Sequence, residues 1–199
     1  MMDHERWRSF LGFVDQRGGA THGCCPSVLK QLIERLPRAL DGRNKALVVG
    51  AGGGTAEKAL LESLGYEVSQ VDLIPQNDTI IAGDMHDLPF HKNFFNVVVY
   101  NQSFEHALSP FIALFEANRV LETGGLAAIA WPDTCERWTK DPQHYSVLTR
   151  MQMEALLNRT SFVITDYELV SEDGTDSTEQ QMQIVLACKL NDVFRMMRQ

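Results

Sequence analysis

The chain has 199 residues, 44% of them hydrophobic and 22% charged, which suits a folded α/β-sized domain with a core of its own. Lys and Arg total 18 against 26 Asp and Glu, a net charge of −8, and no basic run is present; this argues against a nucleic-acid partner. No segment has the length of a membrane span, and Met1 to Arg8 lead into no apolar export core, so a cytoplasmic protein away from membranes is expected.

In chain order, Trp7, Phe10, Leu11 and Val14 recur at helical spacing until Gly18-Gly19. Pro26 and Ser27 open a second helix with Val28, Leu29, Leu32, Ile33 and Leu36 on its apolar face. Together, residues 1–41 read as an N-terminal helical cap on a core over 45–190, all within a single domain. Cys24 and Cys25 next to His22 offer no fourth ligand at zinc-site spacing, and Cys135 and Cys188 stand apart. All four read as reduced thiols, and no metal centre is expected.

From residue 45 strands and helices alternate. Lys45 to Ala51 is a strand, and Thr55 to Leu64 a helix with Ala56, Ala59, Leu60 and Leu64 on one side, capped by Gly65 in the left-handed region. Strands follow at Glu67 to Leu73 and Thr79 to Ala82. Phe94 to Tyr100 is nearly continuous in apolar residues, as a strand buried on both faces requires. Ser109-Pro110 starts a helix carrying Phe111, Leu114, Phe115 and Leu121, which stops at Gly124-Gly125. Leu126 to Ala130 is a strand; Leu148, Met151, Ala155 and Leu156 mark a helix; Val163 to Val170 and Gln183 to Lys189 form a closing hairpin.

This order predicts a doubly wound α/β fold: a mostly parallel, seven-stranded sheet with helices on both faces, a C-terminal antiparallel hairpin and an N-terminal helical extension. Only Ile74 to Asp78 separate the second and third strands, too few for a crossover helix. About five extended residues span ~18 Å, just enough to return along a short strand, so a shortened crossover is expected there.

Five motifs punctuate the alternation. Gly50-Ala51-Gly52-Gly53-Gly54 follows the first strand, and Asp72 ends the second. Gly83-Asp84-Met85-His86-Asp87-Leu88-Pro89-Phe90 follows the third, and Glu105-His106 the fourth. Arg119-Val120-Leu121-Glu122-Thr123-Gly124-Gly125 leads into the fifth. In that order and spacing they resemble the class I S-adenosylmethionine-dependent methyltransferases, over residues 45 to 190. Two departures stand out: the missing helix after Asp72, and Asn96 where an aspartate often begins strand four.

The resemblance implies S-adenosylmethionine as cofactor and a small-molecule acceptor. It implies that Gly50, Ala51, Gly52 and Gly54 bring bare backbone, and the helix after Thr55 its amides, to the cofactor's methionine half. Asp72 would accept from the ribose hydroxyls beside Leu73 and Asp84 from the adenine amine, with Met85 along the ring. The carbonyls of Asn101 and Gln102 would hold the ammonium group, where the lack of an Asn/Asp-Pro-Pro motif disfavours a base-flipping DNA methyltransferase. His106 is a candidate general base, with a partly structural role for the Glu105-His106 pair as the alternative. Trp7, Phe10, Phe104, His106, Trp131 and Trp138 are candidates for lining the acceptor pocket. Asp87 reads as a turn cap. A non-catalytic methyltransferase-like binding protein, holding the cofactor or nothing and acting through partners, stays open. A nicotinamide-dependent oxidoreductase fits less well, because its fingerprint wants glycine where Thr55 stands and does not call for Asp84.

Overall fold

The computed structural model describes residues 26–39, 44–171 and 181–192. The first expected helix, Cys24 and Cys25, and the loop over 172–180 lie outside the described residues. Helix α1 (Pro26–Glu34) precedes strand β1 (Lys45–Val49), helix α2 (Ala56–Ser63), strand β2 (Glu67–Asp72) and the two-residue strand β3 (Ile81–Ala82). Strand β4 (Phe95–Asn101) runs into a 3-10 turn at Phe104–His106. Then come α3 (Pro110–Val120), β5 (Leu121–Pro132), the short α4 (Glu136–Thr139), α5 (Arg150–Arg159), β6 (Phe162–Ser171) and β7 (Gln181–Lys189).

The sheet has seven strands in the order β3-β2-β1-β4-β5-β7-β6. The β3, β2, β1, β4 and β5 strands pair in parallel; β7 is inserted antiparallel between β5 and β6, so the closing hairpin is as expected. Alternate side chains of the central strands feed two cores, as a two-residue period demands. Leu47, Val49, Val98 and Tyr100 pack with Ala113, Leu114 and Ala117 of α3 and Met153 and Leu157 of α5. Ala46, Val48, Val97 and Val99 face Val28, Leu29, Leu32 and Ile33 of α1 and Leu61 of α2. Pro26–Glu34 is therefore part of the layer that covers the sheet.

The shortened crossover is present. Residues 73–80 form bends and turns, and the chain returns to pair Val71 with Ile81 and Asp72 with Ala82. The third strand is shorter than the expected Thr79 to Ala82, because so short a link reaches β2 only at its carboxyl end. Gly65 has φ +93°, as its cap position requires.

Helix faces were less legible. On α2 the buried residues are Glu57 and Leu61, with Ala56 and Ala59 exposed. On α3 they include Ala113, Leu114, Ala117 and Val120, while Phe111 faces outward and Leu121 already belongs to β5. On α5 Met153 and Leu157 are buried and Met151 is exposed; Leu148 lies before the helix, whose start is set by a capping box between Thr149 and Gln152.

Candidate functional site

The glycine turn sits at the carboxyl edge of β1, beside that of β2. Gly50, at φ +74°, and Ala51 both donate backbone N–H bonds to Val71 O, at 2.9 and 3.1 Å. A side chain at Gly50 would place its Cβ 2.4 Å from Ser103 Cβ, so glycine is needed where β1 and the β4 exit meet. Gly52, at φ +55°, differs: a Cβ there would meet nothing within 4 Å, leaving open space over bare backbone. A Cβ on Gly53 would stand 2.8 Å from Gln76 Oε1, which brings the short β2–β3 link over the turn.

Asp72 joins the two strand ends. Its Oδ2 accepts from Gly52 N–H at 2.6 Å and its Oδ1 from Ile74 N–H at 2.8 Å. The two backbone bonds orient the carboxylate where the strand ends meet. Leu73 follows, half-buried.

Beneath the turn the chain is tied together by buried polar groups. Ser103 Oγ donates to Val49 O at 2.7 Å, Gln70 Nε2 to Gly54 O at 2.6 Å, and Asn101 Nδ2 to Glu57 Oε1 at 3.0 Å. Glu57 is 3% exposed in the first turn of α2. It places the chain's own carboxylate at the positive helix end that the sequence reading reserves for a ligand. Its acidic character is generic for a first helical turn, so its burial left no sequence signal. At the β4 exit, Gln102 has φ +50°, an uncommon conformation for a non-glycine residue. Its backbone N–H donates to Ala130 O at 2.9 Å, and its buried Nε2 has no partner among the described residues.

After β3, Asp84 is 4% exposed, and its Oδ1 holds both the backbone N–H (2.9 Å) and Nδ1 (2.6 Å) of His86. His86 Nε2 accepts from Ser109 N–H at 3.2 Å, which assigns the ring proton to Nδ1. Asp84 thus anchors its own loop, next to half-buried Met85. Asp87 closes the turn by donating N–H to Asp84 O at 3.0 Å. Arg119 fastens the remainder, donating to Glu116, Leu88 O and Phe90 O.

The Glu105-His106 pair lies on the 3-10 turn after β4. Burial pushes the Glu105 carboxyl up to about 7, with neighbouring His106 pulling it partly back. His106 Nδ1 lies 2.9 Å from Gln143 O, and its ring meets that of His144 edge-on at 5.1 Å between centroids. His144 in turn stacks on Trp138 at 5.5 Å. Its arrival from the loop before α5 was invisible in sequence, since nothing local marks which turn it will approach.

The acceptor-lining candidates divide. Phe104 is fully buried against Tyr100, and Trp131 is fully buried with Nε1 donating to Leu148 O at 2.8 Å. Both are core residues, because the β4 exit folds inward as a 3-10 turn and Trp131 points to the α5 side of the sheet. His106 and Trp138 are brought together through His144; Trp7 and Phe10 lie outside the described residues.

Residues 47–129 match the family described as "Methyltransferase domain". No curated protein matches the chain. Among solved structures, one similar chain comes from a Haloferax volcanii complex that contains the Trm112 methyltransferase activator, at TM-score 0.71 and 14% identity over 94% of this chain and 96% of that one. Another is 1,6-didemethyltoxoflavin-N1-methyltransferase from Burkholderia thailandensis, with 1,6-didemethyltoxoflavin and S-adenosylhomocysteine bound (TM-score 0.67, 18% identity, 93% and 88% coverage). The [4+2]-cyclase SpnF aligns at TM-score 0.65 and 18% identity, over 83% of this chain and 81% of that one. At such identities these likenesses establish the fold.

Proposed function

We propose that this chain, a class I S-adenosylmethionine-dependent methyltransferase by its domain match and its fold, methylates a small-molecule acceptor by direct displacement. One observation carries the cofactor's place: Gly52 leaves open space over the β1 turn while its N–H holds Asp72, the acid at the end of the neighbouring strand. The residues present fit the cofactor. Asp72 is oriented for a diol, the turn offers bare main chain, and buried Gln102 Nε2 looks for an acceptor at the β4 exit.

Bound there, S-adenosylmethionine supplies an activated methyl group on a sulfonium leaving group. The chain contributes alignment. Asp72 would hold the sugar beside Leu73; Gly52 would leave the tail's path clear, with Gly50, Ala51 and Gly54 shaping the turn that carries it; the Asn101-Gln102 carbonyls would hold the ammonium, and Asp84 and Met85 the adenine. His106 takes the acceptor's proton at Nε2, since donation from Nδ1–H to Gln143 O leaves the lone pair on the other nitrogen. The acidic charge disfavours nucleic acid as acceptor, and the toxoflavin-type substrate of the Burkholderia protein illustrates the kind of planar molecule this fold accommodates. No described helix is long and apolar enough to cross a membrane.

Calorimetric titration with S-adenosylmethionine and NADH tests the reading. Wild type binds the first and not the second, and Asp72→Ala binds neither. NADH binding, or indifference to the methyl donor at millimolar concentration, overturns it.

A further inference from the structure

Beside the cofactor groove, a second group of donors gathers where the 3-10 turn after β4 meets the loop before α5. One ligand atom each from Glu105, His106 and His144 lies within 4.8 Å of the others. Glu105 is 3% exposed, and its Oε2 has no hydrogen-bond partner among the described residues. Both imidazoles are oriented by main-chain carbonyls, His106 Nδ1 by Gln143 O at 2.9 Å and His144 Nδ1 by Trp138 O at 3.2 Å. A carbonyl only accepts, so each Nδ1 carries the proton and each Nε2 the lone pair. Stacking of His144 on Trp138 further restricts its ring.

Two histidines held in one tautomer from behind, next to a desolvated carboxylate oxygen lacking a donor, form a mixed nitrogen and oxygen donor set. We propose that Glu105, His106 and His144 bind a first-row divalent cation of the zinc class. An ion about 2.1 Å from each donor needs donors about 3.4 Å apart, so the widest pair must close by at most about 1.4 Å. The Glu105 carboxyl, whose Oε2 makes no hydrogen bond among the described residues, and a shift of the loop that carries His144 together with Trp138 supply that movement while the imidazoles keep their carbonyl partners. Three protein ligands leave coordination positions for an exogenous oxygen, as in catalytic rather than structural zinc sites. An acceptor hydroxyl or enol filling one would be acidified there, with its proton passing to solvent instead of to His106 Nε2, whose lone pair the ion would occupy. That role rests on the methyl-transfer reading; the site itself does not.

The test uses the whole chain, freed of metal with a chelator and desalted, then titrated with Zn2+ by calorimetry and with Co2+ by visible absorption. One ion per chain is expected at micromolar affinity or tighter, with a cobalt spectrum free of thiolate charge transfer. Glu105→Gln and His144→Gln each weaken binding by about 100-fold or more, while affinity for S-adenosylhomocysteine stays unchanged and reports an intact fold. Absence of saturable binding overturns the proposal. So does wild-type affinity for the ion in both variants, or a sulfur charge-transfer band placing the ion on cysteines. Because the methyl donor is titrated separately, a protein that takes the ion but ignores the donor would sink the methyl-transfer reading and leave the site standing.

Discussion

Gly50 and Gly52 lie two residues apart in one turn, both at positive φ, yet the structure assigns them different duties. Replacement of Gly50 by alanine meets two penalties. A left-handed conformation costs an L-residue about 1 kcal/mol, and a Cβ 2.4 Å from Ser103 Cβ stands about 1 Å or more inside normal carbon–carbon contact. Ser103 has little room to yield, because its hydroxyl is tied to Val49 O at 2.7 Å. Overpacking of this kind costs about 1–3 kcal/mol, so Gly50→Ala should lose about 2–4 kcal/mol. Gly52→Ala meets no atom within 4 Å and should lose only about 1 kcal/mol. Its methyl group nevertheless stands in the groove, so cofactor affinity should fall at least about tenfold, equivalent to 1.4 kcal/mol. Urea denaturation with a common m-value measures the first quantity, and calorimetry with S-adenosylhomocysteine the second. If Gly50→Ala unfolds within 1 kcal/mol of wild type, or if Gly52→Ala is equally destabilised but binds normally, the account of the turn is wrong.

Other substitutions probe what positions the site. Lys189 is 1% exposed, and its Nζ donates to Asn93 Oδ1, Asn118 O, Leu121 O and Asp192 Oδ1 at 2.6–2.9 Å. Lys189→Met strands the carbonyls at the end of α3 and should lower stability by about 3 kcal/mol or more, read as a fall in Tm. Arg119→Met removes donors from Leu88 O and Phe90 O and leaves Glu116 without its cation. A loss of about 2–3 kcal/mol is expected, with faster amide exchange over 84–90; unchanged exchange there would deny the clamp. Thr149→Ala deletes the capping box of α5 and should cost about 1 kcal/mol in denaturant titrations without altering cofactor affinity.

How far the chain could be read in advance follows from where each signal resides. Phe95–Asn101 announces a doubly buried strand because its own apolar run has to be covered on both faces. Gly50 to Gly54, Asp72 and the short β2–β3 link are legible because main-chain geometry and strand spacing are local properties. What escaped notice depends on neighbours distant in sequence. Phe104 and Trp131 look like pocket aromatics, yet both are core, since their surroundings come from Tyr100 and from the segment leading into α5. That Asp84 also holds its own loop through His86 was equally hidden.

The order of elements, the turn at the carboxyl edge and its facing acid were thus determined by the sequence alone, through hydrophobic period and backbone conformation. Tertiary structure decided which helix faces are buried, that Glu57 lies beneath the turn against Asn101, and that His144 meets Glu105 and His106. The physical reason is that a side chain's burial and partners belong to the space that closes around it, and that space is assembled from segments no local window contains.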